Sequence, residues 1–465
     1  MADKTIGVSL LGCGIVGGGV QKILREQREL LRARTGVDFE LVHVAVKDRE
    51  AYPPDHALLP MTTDAAAAID DPKTNVVIEL IGGTTIAGTL IERALKLGKP
   101  AVTANKSLLA ARGPELFALA RKHNTCIAFE ASCGGGIPII GALLQGLIAN
   151  DVQALLGIVN GTCNFILTQM TKNGWSYQQA LAEAQKLGFA EANPTLDVSG
   201  RDAAQKLAIL GGLAFNARIA ESDISVEGID KLEAIDIGFA RELGYVIKLL
   251  AIAERSGVGD RVSGVGKNPE APNPNPDTRN AKPDFISLRV HPTLVNQADM
   301  LAEVSGSFNA ISFYGHALGH ALFYGRGAGQ MPTASAVVSD LVAIALGTIP
   351  LAFKQLRFLP DLVEPAKVLP IEDLVSRYYL RLVATDAPGV LADVTDALGR
   401  HNISLSAVLQ HENNDGKSVP VVITTHKARE GEMRAALKEI DALPTITTPS
   451  ICLRIIDQPK EFART

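Results

Sequence analysis

Between residues 6 and 129, short apolar runs alternate with longer segments in which apolar residues recur at helical spacing. The runs typical of buried strands are Ile6–Leu11, Phe39–Val46, Val76–Leu80, Ala101–Thr103 and Cys126–Phe129. Helical spacing occurs at Val16–Arg34, Thr85–Leu97 and Pro114–His123. Such alternation predicts a parallel sheet covered by helices. We therefore expect an α/β domain over residues 1–130.

A second pattern begins at the glycine-rich turn that follows Ala131 and extends to Phe358. Helices are predicted at Ile139–Ile148 and Ser176–Lys186. Runs typical of sheet occur at Ile286–Val290 and Ala310–Tyr314. The mixture predicts an α+β domain over residues 131–358. Within it, Gly264–Pro283 is rich in Asn, Pro and charge, so we expect an exposed excursion there.

The C-terminal region shows a third pattern after a linker at 359–376. Strand-like alternation at Tyr379–Ala384 is followed by a helix, two strands separated by a polar turn at 413–416, a helix and a last strand. The predicted elements are Val390–His401, Ser404–His411, Val419–Thr425, Glu430–Leu443 and Ser450–Ile455. This order is βαββαβ, and it predicts a separate α/β-type domain over residues 377–456.

The amino-acid composition excludes several classes of protein. The 465 residues are 47% hydrophobic and 20% charged, with 45 basic against 50 acidic side chains and a net charge of -5. No basic block is present, which argues against nucleic-acid binding. The five cysteines form no CxxC pair and are typical of reduced thiols. No apolar run reaches 18 residues, and the N-terminal one is short, so we expect a cytoplasmic protein with neither a membrane span nor a signal peptide.

The first strand is followed by a glycine-rich turn that opens a helix. Gly12, Gly14 and Gly17 fit G-x-G-x-x-G, with Ile15 and Val16 between the last two glycines. Glycines at this junction let backbone amides approach a pyrophosphate at the helix N-terminus. The pattern predicts a Rossmann-type dinucleotide site; the alternative is a strand-to-helix turn that binds nothing.

Two further loops bear on the cofactor. Lys47 follows the second strand, where a cation favours the 2′-phosphate of NADP, although the adjacent Asp48 leaves NAD open. Gly83 and Thr84 follow the strand Val76–Leu80, at the sheet edge where such folds bind ligands. A plain glycine turn is the alternative for that loop.

Candidate catalytic charges occur at two places. Lys106 follows the strand Ala101–Thr103, at the same predicted sheet edge as the glycine turn, although a lone lysine there is more often a surface residue. Asp202 and Lys206 are four residues apart on one predicted helix face, which alone is typical of a surface ion pair. The neighbouring Ala203, Ala204 and Leu207 make this helix apolar, so we expect the pair to enter the interior.

The segment from Ala184 to Lys206 resembles the signature of the homoserine dehydrogenase family. Its matching positions are Ala184, Gly188, Phe189, Ala190, Asn193, Pro194, Asp197, Val198, Gly200, Asp202 and Lys206. The Gly12–Gly17 turn, Thr103–Lys106 and Asn160–Thr162 follow the family's order as well. The resemblance covers roughly residues 5 to 358. It implies reversible NAD(P)-dependent interconversion of L-homoserine and L-aspartate 4-semialdehyde in threonine, methionine and isoleucine biosynthesis.

The resemblance also implies roles for individual residues. Lys206 resembles the general acid–base group, and Lys106 the second active-site lysine near nicotinamide and substrate. Glu191 and Asp202 would accept the substrate ammonium, with Asp197 nearby in the substrate site. The residues expected to flank substrate or cofactor are Gly161, Thr162, Gly188 and Gly306.

The glycine-rich turn after residue 129 resembles the family's monovalent-cation loop. The backbone carbonyls of Glu130, Cys133, Gly135 and Ile137 would bind sodium, since carbonyl oxygens suit a hard cation. A glycine hinge without an ion is the alternative. Cys133 as a nucleophile is disfavoured, because no histidine is close to it in sequence.

The C-terminal domain resembles the ACT family of small-molecule-binding domains. The resemblance rests on the βαββαβ order and on the first strand-to-helix junction, which contains Asp386, Gly389, Val390 and Leu391. Asn402 would lie across an interface between paired domains. ACT domains bind ligands between associated copies, which implies a homodimer or homotetramer, and threonine is the effector expected from the pathway. A domain that only mediates assembly is the alternative.

Two other classes of protein share part of this pattern. An ACT-bearing hydroxy-acid dehydrogenase would use an arginine and a histidine–carboxylate relay, and it would leave the Ala184–Lys206 segment unexplained. A sensor that only binds ligands would need neither Lys106 nor Lys206. Oxidation of NADPH by aspartate semialdehyde separates these classes.

Overall fold

The structure is a computed structural model that describes residues 4–50, 52, 60–256, 285–411 and 418–457. The predicted excursion at Gly264–Pro283 and the predicted turn at 413–416 lie outside the described residues. The described strands are β1 (Lys4–Leu11), β2 (Val37–Ala45), β3 (Met61–Thr62), β4 (Val76–Glu79), β5 (Ala101–Thr103), β6 (Ile127–Ala128), β7 (Val152–Ile158), β8 (Ser225–Val226), β9 (Tyr245–Arg255), β10 (Ile286–Asn296), β11 (Phe308–Gly315), β12 (Gly319–Arg326), β13 (Val375–Thr385), β14 (Leu405–Gln410), β15 (Ser418–Thr425), β16 (Ala428–Arg429) and β17 (Ile446–Ile455).

The described α-helices are α1 (Ile15–Glu26), α2 (Arg28–Thr35), α3 (Ala65–Asp70), α4 (Ile86–Lys96), α5 (Lys106–Lys122), α6 (Ile139–Gly141), α7 (Gly161–Asn173), α8 (Tyr177–Lys186), α9 (Thr195–Val198), α10 (Arg201–Phe215), α11 (Ala234–Glu242), α12 (Met300–Glu303), α13 (Gln330–Ala345), α14 (Thr348–Gln355), α15 (Val390–Arg400) and α16 (Glu430–Asp441). The chain forms two compact units. Unit 1 comprises residues 1–161, 201–224 and 307–365, and unit 2 comprises 162–200, 225–306 and 366–465.

Unit 1 contains the predicted parallel sheet, in the order β3-β2-β1-β4-β5-β6. β1 is central, and its residues from Ile6 to Leu11 are all buried, as expected for a strand covered on both faces. Leu11 at the end of β1 pairs with Glu79 at the end of β4. The loops that follow these two strands therefore start side by side, at the point of the sheet where open α/β folds bind ligands. The α/β prediction for this region is confirmed.

Unit 1 also contains an antiparallel sheet in which β11 pairs with both β7 and β12. Helix α10 packs against α5 and β7. Because α5 follows β5 of the parallel sheet, this packing brings the two predicted catalytic segments of unit 1 together.

Unit 2 contains a sheet in which β9 pairs with β10, β10 with β17, and the order continues β17-β13-β15-β14. The last four strands and the helices α15 and α16 form the predicted βαββαβ domain, which is confirmed. Its core includes Leu380, Leu398 and Ile423, each fully buried. Thr293 of β10 pairs with Arg454 of β17, so the sheet runs without a break from the C-terminal domain into the rest of the unit.

Several predicted helix boundaries are wrong. The helix predicted at Val16–Arg34 is divided at Gln27, whose backbone is not helical. The helix predicted from Pro114 begins at Lys106, because the side chain of Asn105 caps it by accepting a hydrogen bond from Leu108 N. Pro114 lies inside this helix, although proline favours the first helical turn. The helix predicted at Ile139–Ile148 ends after one turn and continues as a π-turn over 142–146.

Within the described residues, no single helix has the length and apolar composition of a membrane span. Helices α13 and α14 pass that test only when taken together, and they are bent by 78° at their junction.

Candidate active site

The glycine-rich turn connects β1 to α1, and close backbone contacts require glycine at two of its three glycine positions. Gly12 has a φ of +95°, and a Cβ on it would lie 2.7 Å from the carbonyl oxygen of Leu80. A Cβ on Gly17 would lie 2.2 Å from the carbonyl oxygen of Gly12. Gly14 is the N-cap of α1 and has open space around it, and no side chain caps this helix. The N-terminus of α1 can therefore receive a pyrophosphate.

Lys47 lies just beyond the end of β2, and Lys47, Asp48 and Arg49 are all exposed. The carboxylate of Asp48 accepts a hydrogen bond from Glu50 N at 2.9 Å, within its own loop. Val16 is half-buried and Ile15 is exposed at the start of α1. This edge of the sheet presents two cations and one internally bonded carboxylate.

Sequence reasoning missed Glu79, which organises the loop after β4. This fully buried carboxylate accepts hydrogen bonds from Ile81 N and Gly82 N, at 2.8 and 2.9 Å, and from the hydroxyl of Thr103 at 2.7 Å. Asn105 donates to the carbonyl of Gly83 at 2.6 Å. The loop carrying Gly83 and Thr84 is thereby tied to the segment before Lys106. In the sequence, the signal for this role is an acidic residue at the end of an otherwise apolar strand.

Two lysines share one buried carboxylate. The ammonium of Lys206 lies 2.8 Å from Asp202 Oδ2 and donates to the carbonyl of Val159 at 2.7 Å. The ammonium of Lys106, at the start of α5, lies 3.2 Å from Asp202 Oδ1. Asn160 also donates to Asp202 Oδ2, at 2.8 Å. The i,i+4 pair expected from the sequence is present, and it is buried: the Lys206 and Asp202 side chains are 12% and 7% exposed.

The charges around Asp202 control its ionisation. Burial alone would raise the pKa of this carboxyl, but the ammonium groups of Lys206 and Lys106 and hydrogen bonds from Lys206 and Asn160 outweigh it. The net effect lowers the pKa of Asp202 to about 2. The carboxylate is therefore ionised at neutral pH and holds two cations at fixed positions beside the end of β7.

Cys133 lies against the same cluster but is poorly suited to act as a nucleophile. Its thiol donates to the backbone carbonyl of Lys206 at 3.9 Å. Burial raises the pKa of Cys133 to about 12, against opposing contributions from Ser132 and the two lysines. Because the thiolate is the nucleophilic form, this cysteine is inert at neutral pH.

The predicted cation loop is a compact turn. Gly135 has a φ of +56°, and a Cβ on it would lie 2.5 Å from the backbone of Gly327. The Glu130 carboxylate accepts hydrogen bonds from Ile140 N and Gly141 N, at 2.8 and 2.7 Å, so its side chain is used internally. Within the part of the chain that the structure describes, no three His, Cys, Asp or Glu side chains form a metal site. Any cation here would rely on the backbone carbonyls of the turn.

The remaining predicted contacts divide between the two units. In unit 1, a Cβ on Gly161 would lie 2.8 Å from the carbonyl oxygen of Ser307. In unit 2, Thr162 donates its hydroxyl hydrogen to the Phe189 carbonyl at 2.6 Å, and Gly306 N donates to the hydroxyl of Thr168 at 3.0 Å. Gly188, Glu191 and Asp197 also belong to unit 2, where Gly188 follows α8 with a φ of +75°, Glu191 is exposed and Asp197 is half-buried.

A small cavity of about 100 Å³ lies at the junction of β13 and α15. Four predicted effector residues line it: Asp386, Gly389, Val390 and Leu391. Gly389 is the N-cap of α15, with a φ of +94°. Asn402 is not among the residues that line this cavity; it takes a φ of +55° just after α15 and donates its backbone N–H to the Gly399 carbonyl.

Three family profiles match the chain. The one described as "Homoserine dehydrogenase, NAD binding domain" matches residues 12–130, "Homoserine dehydrogenase" matches 138–342, and "ACT domain" matches 378–445.

Similar whole proteins carry the same description. The homoserine dehydrogenase of Pseudomonas aeruginosa is 40% identical over 97% of this chain and 99% of its own. The crystal structure of a homoserine dehydrogenase from Thiobacillus denitrificans superposes with a TM-score of 0.87, at 40% identity over 98% of this chain and 99% of that one. Homoserine dehydrogenase from S. aureus gives a TM-score of 0.70, at 30% identity over 97% of this chain and 99% of its own.

Proposed function

The chain belongs to the homoserine dehydrogenase family, and we propose that Lys206, Lys106 and Asp202 form the site at which it interconverts L-homoserine and L-aspartate 4-semialdehyde. Members of this family are NAD(P)-dependent oxidoreductases that act on a CH–OH group. The observation that carries the assignment to these residues is the single buried carboxylate that holds two lysine ammonium groups.

The nicotinamide, when bound, supplies or accepts the hydride. In the reducing direction, Lys206 donates a proton to the aldehyde oxygen as the carbonyl carbon is reduced; in the oxidising direction, it takes up the hydroxyl proton. The hydrogen bonds to Val159 and Asp202 fix the ammonium before substrate arrives. Lys106 is the second cation beside the reacting oxygen.

The sequence suggested Asp202 as an acceptor for the substrate ammonium, and we now assign it a different role. Both of its oxygens are engaged, by Lys106, Lys206 and Asn160, and the residue is 5% exposed. Asp202 therefore positions the lysines. The substrate ammonium binds Glu191, with Asp197 nearby, while Gly161 and Thr162 flank the substrate and Gly188 and Gly306 the cofactor.

NADP is the proposed cofactor. The exposed Lys47 suits a 2′-phosphate, and the exposed Arg49 adds a second cation to the same loop. A sodium ion bound by the carbonyls of Glu130, Cys133, Gly135 and Ile137 is the proposed monovalent cation. Glu130 and Ile137 carbonyls each accept one backbone hydrogen bond, which leaves a second lone pair on each oxygen.

An assay tests this function directly. With L-aspartate 4-semialdehyde as substrate, we expect oxidation of NADPH with formation of homoserine, and slower oxidation of NADH. Absorbance at the reduced-nicotinamide band and amino-acid analysis of the product measure both. Reduction of a 2-oxo acid together with no reaction of the semialdehyde would assign the chain to the hydroxy-acid dehydrogenases instead.

We further propose that threonine inhibits the enzyme through the C-terminal domain, in a homodimer or homotetramer. The cavity at the start of α15 supports this, because the carboxylate of Asp386 and the helix N-terminus at Gly389 suit the two charged groups of an amino acid. Assembly without a ligand is the competing role.

The variant Asp386→Ala tests the effector site. The half-inhibiting threonine concentration is expected to rise about tenfold, because a charge-assisted hydrogen bond to the ligand ammonium is lost. Turnover without threonine stays at the wild-type value. Asp396→Ala is the matched control, since Asp396 lies on α15, pairs with Arg400 and is 67% exposed. Equal inhibition of both variants, or a wild-type enzyme indifferent to threonine, would leave assembly as the domain's role.

A further inference from the structure

Arg454, on the last strand of the C-terminal domain, is held between two carboxylates. Its Nε donates to Glu430 Oε2 at 2.9 Å, and a second bond reaches Glu430 Oε1. On its other side it makes a bidentate pair with Glu227, at 2.8 and 3.0 Å. Arg454 and Glu430 are buried, with side chains 6% and 5% exposed, whereas the side chain of Glu227 is 40% exposed. Glu430 opens α16 of the C-terminal domain, and Glu227 lies outside that domain.

Glu227 begins a short segment packed against residues 195–200, which we call the signature loop. Its backbone N–H donates to Val290 on β10 at 2.8 Å, which continues the pairing of β8 with β10. Two residues later, Ile229 N donates to the carbonyl of Val198 at 2.9 Å. Gly228 lies between them, and a Cβ there would be 2.4 Å from that same carbonyl oxygen. This segment is therefore in direct backbone contact with the end of α9.

The signature loop is confined from its other end too. Gly200 has a φ of +84°, and a Cβ on it would lie 3.1 Å from a methyl group of Val226 and 3.3 Å from the Glu227 carbonyl oxygen. Residues 195–200 carry Asp197 and are followed directly in sequence by the helix that bears Asp202 and Lys206. A displacement of Glu227 would therefore strain these backbone contacts with the loop, because a tightly packed interior transmits local shifts.

Further contacts connect Glu430 with the cavity at the junction of β13 and α15, which we call the effector cavity. Leu382, which lines the cavity, and Tyr378 lie on β13 with their side chains in one buried core. Tyr378 pairs with Arg454 across the sheet, and its hydroxyl donates to Glu430 Oε2 at 3.0 Å. Strand β13 thus connects the effector cavity with Glu430, the carboxylate that holds Arg454.

We propose that Arg454 and Glu227 are positioning residues: their ion pair sets the signature loop for substrate binding and transmits the state of the C-terminal domain to it. The proposal rests on the proposed function, because it takes residues 195–200 to lie at the substrate. The coupling runs through a contiguous set of packed and hydrogen-bonded groups, from Leu382 and Tyr378 through Glu430 and Arg454 to Glu227. The residues that follow Glu227, Gly228 and Ile229, then contact Val198.

Glu227→Gln in the full-length enzyme tests the pair. Glutamine keeps the size of the side chain and removes its charge, and Arg454 retains Glu430, so the buried arginine is not left without a partner. We expect the KM for aspartate semialdehyde to rise about tenfold, with kcat and the KM for NADPH near wild type, and threonine inhibition to weaken. Amide hydrogen exchange in residues 195–200 and 227–229 should become faster.

Arg434→Gln is the matched control. Arg434 donates to Glu430 as Arg454 does, but it is 47% exposed on α16. It should leave the KM and the loop exchange unchanged, and Glu227→Asp should recover part of the wild-type KM. If Glu227→Gln lowers only the melting temperature, with KM and loop exchange equal to those of Arg434→Gln, the positioning role is refuted.

Failure of the proposed function is separately visible. A wild-type enzyme that does not reduce aspartate semialdehyde would refute the function, while hydrogen exchange in the loop would still decide whether Glu227 positions it. Unchanged exchange in Glu227→Gln would overturn the coupling whatever the substrate.

Discussion

Replacing Lys206 with alanine is expected to lower turnover with aspartate semialdehyde by about 10²–10⁴-fold, the range typical of a lost general acid. The ammonium is held by Val159 and Asp202 at 2.7 and 2.8 Å, and alanine offers no proton at that position. Binding of NADPH should persist, because the glycine-rich turn and the N-terminus of α1 are untouched. Steady-state kinetics measure turnover, and fluorescence titration of the variant measures cofactor binding.

Two further variants separate proton transfer from charge. Lys206→Arg keeps a cation beside Asp202 but does not release a proton at neutral pH, so it should be nearly as slow as the alanine variant while staying folded. Lys186→Ala removes a lysine that is 74% exposed and paired at the surface with Glu183, and it should behave as wild type. Full activity in Lys206→Ala or Lys206→Arg would move the acid–base role to another residue.

Replacing Asp202 with asparagine is expected to reduce both stability and activity. The free energy of unfolding should fall by about 3 kcal/mol at neutral pH, because removing one partner of a buried ion pair leaves the others uncompensated. The uncompensated groups here are the ammonium groups of Lys106 and Lys206. Turnover should fall as well, since both lysines lose the carboxylate that holds them, and Lys206 keeps only its hydrogen bond to Val159 among the two described for it. Urea denaturation and steady-state kinetics give the two quantities.

The acid dependence of this loss follows from the pKa of Asp202. A carboxyl whose pKa is lowered on folding, here from 3.8 to about 2, contributes stability that is present above its unfolded pKa and is lost as the pH falls through the folded value. The stability difference between wild type and Asp202→Asn should therefore shrink between about pH 4 and pH 2. If the stability difference is constant over that range, the lysines do not lower the pKa of Asp202 on folding.

The sequence by itself determined those features that depend on local geometry. The alternation of apolar runs placed five of the six described strands of the parallel sheet, because a strand covered on both faces is mostly apolar; it did not place the two-residue strand β3. The spacing of Gly12, Gly14 and Gly17 placed the turn, and close backbone approach excludes a Cβ at Gly12 and Gly17. The four-residue spacing of Asp202 and Lys206 fixed their pairing, because helix geometry puts such residues on one face.

Only the tertiary structure decided which distant groups meet these local ones. Lys106 joins Asp202 because α5 packs against α10, and Glu79 binds Thr103 because β4 pairs with β5. Arg454 meets Glu227 because β17 joins β10. Each of these contacts depends on strand order and helix packing over long stretches of chain, and one lysine or arginine in a sequence does not specify its partner. Local spacing therefore gave the buried pair of Asp202 and Lys206, and the packing of distant elements brought Lys106 to the same carboxylate.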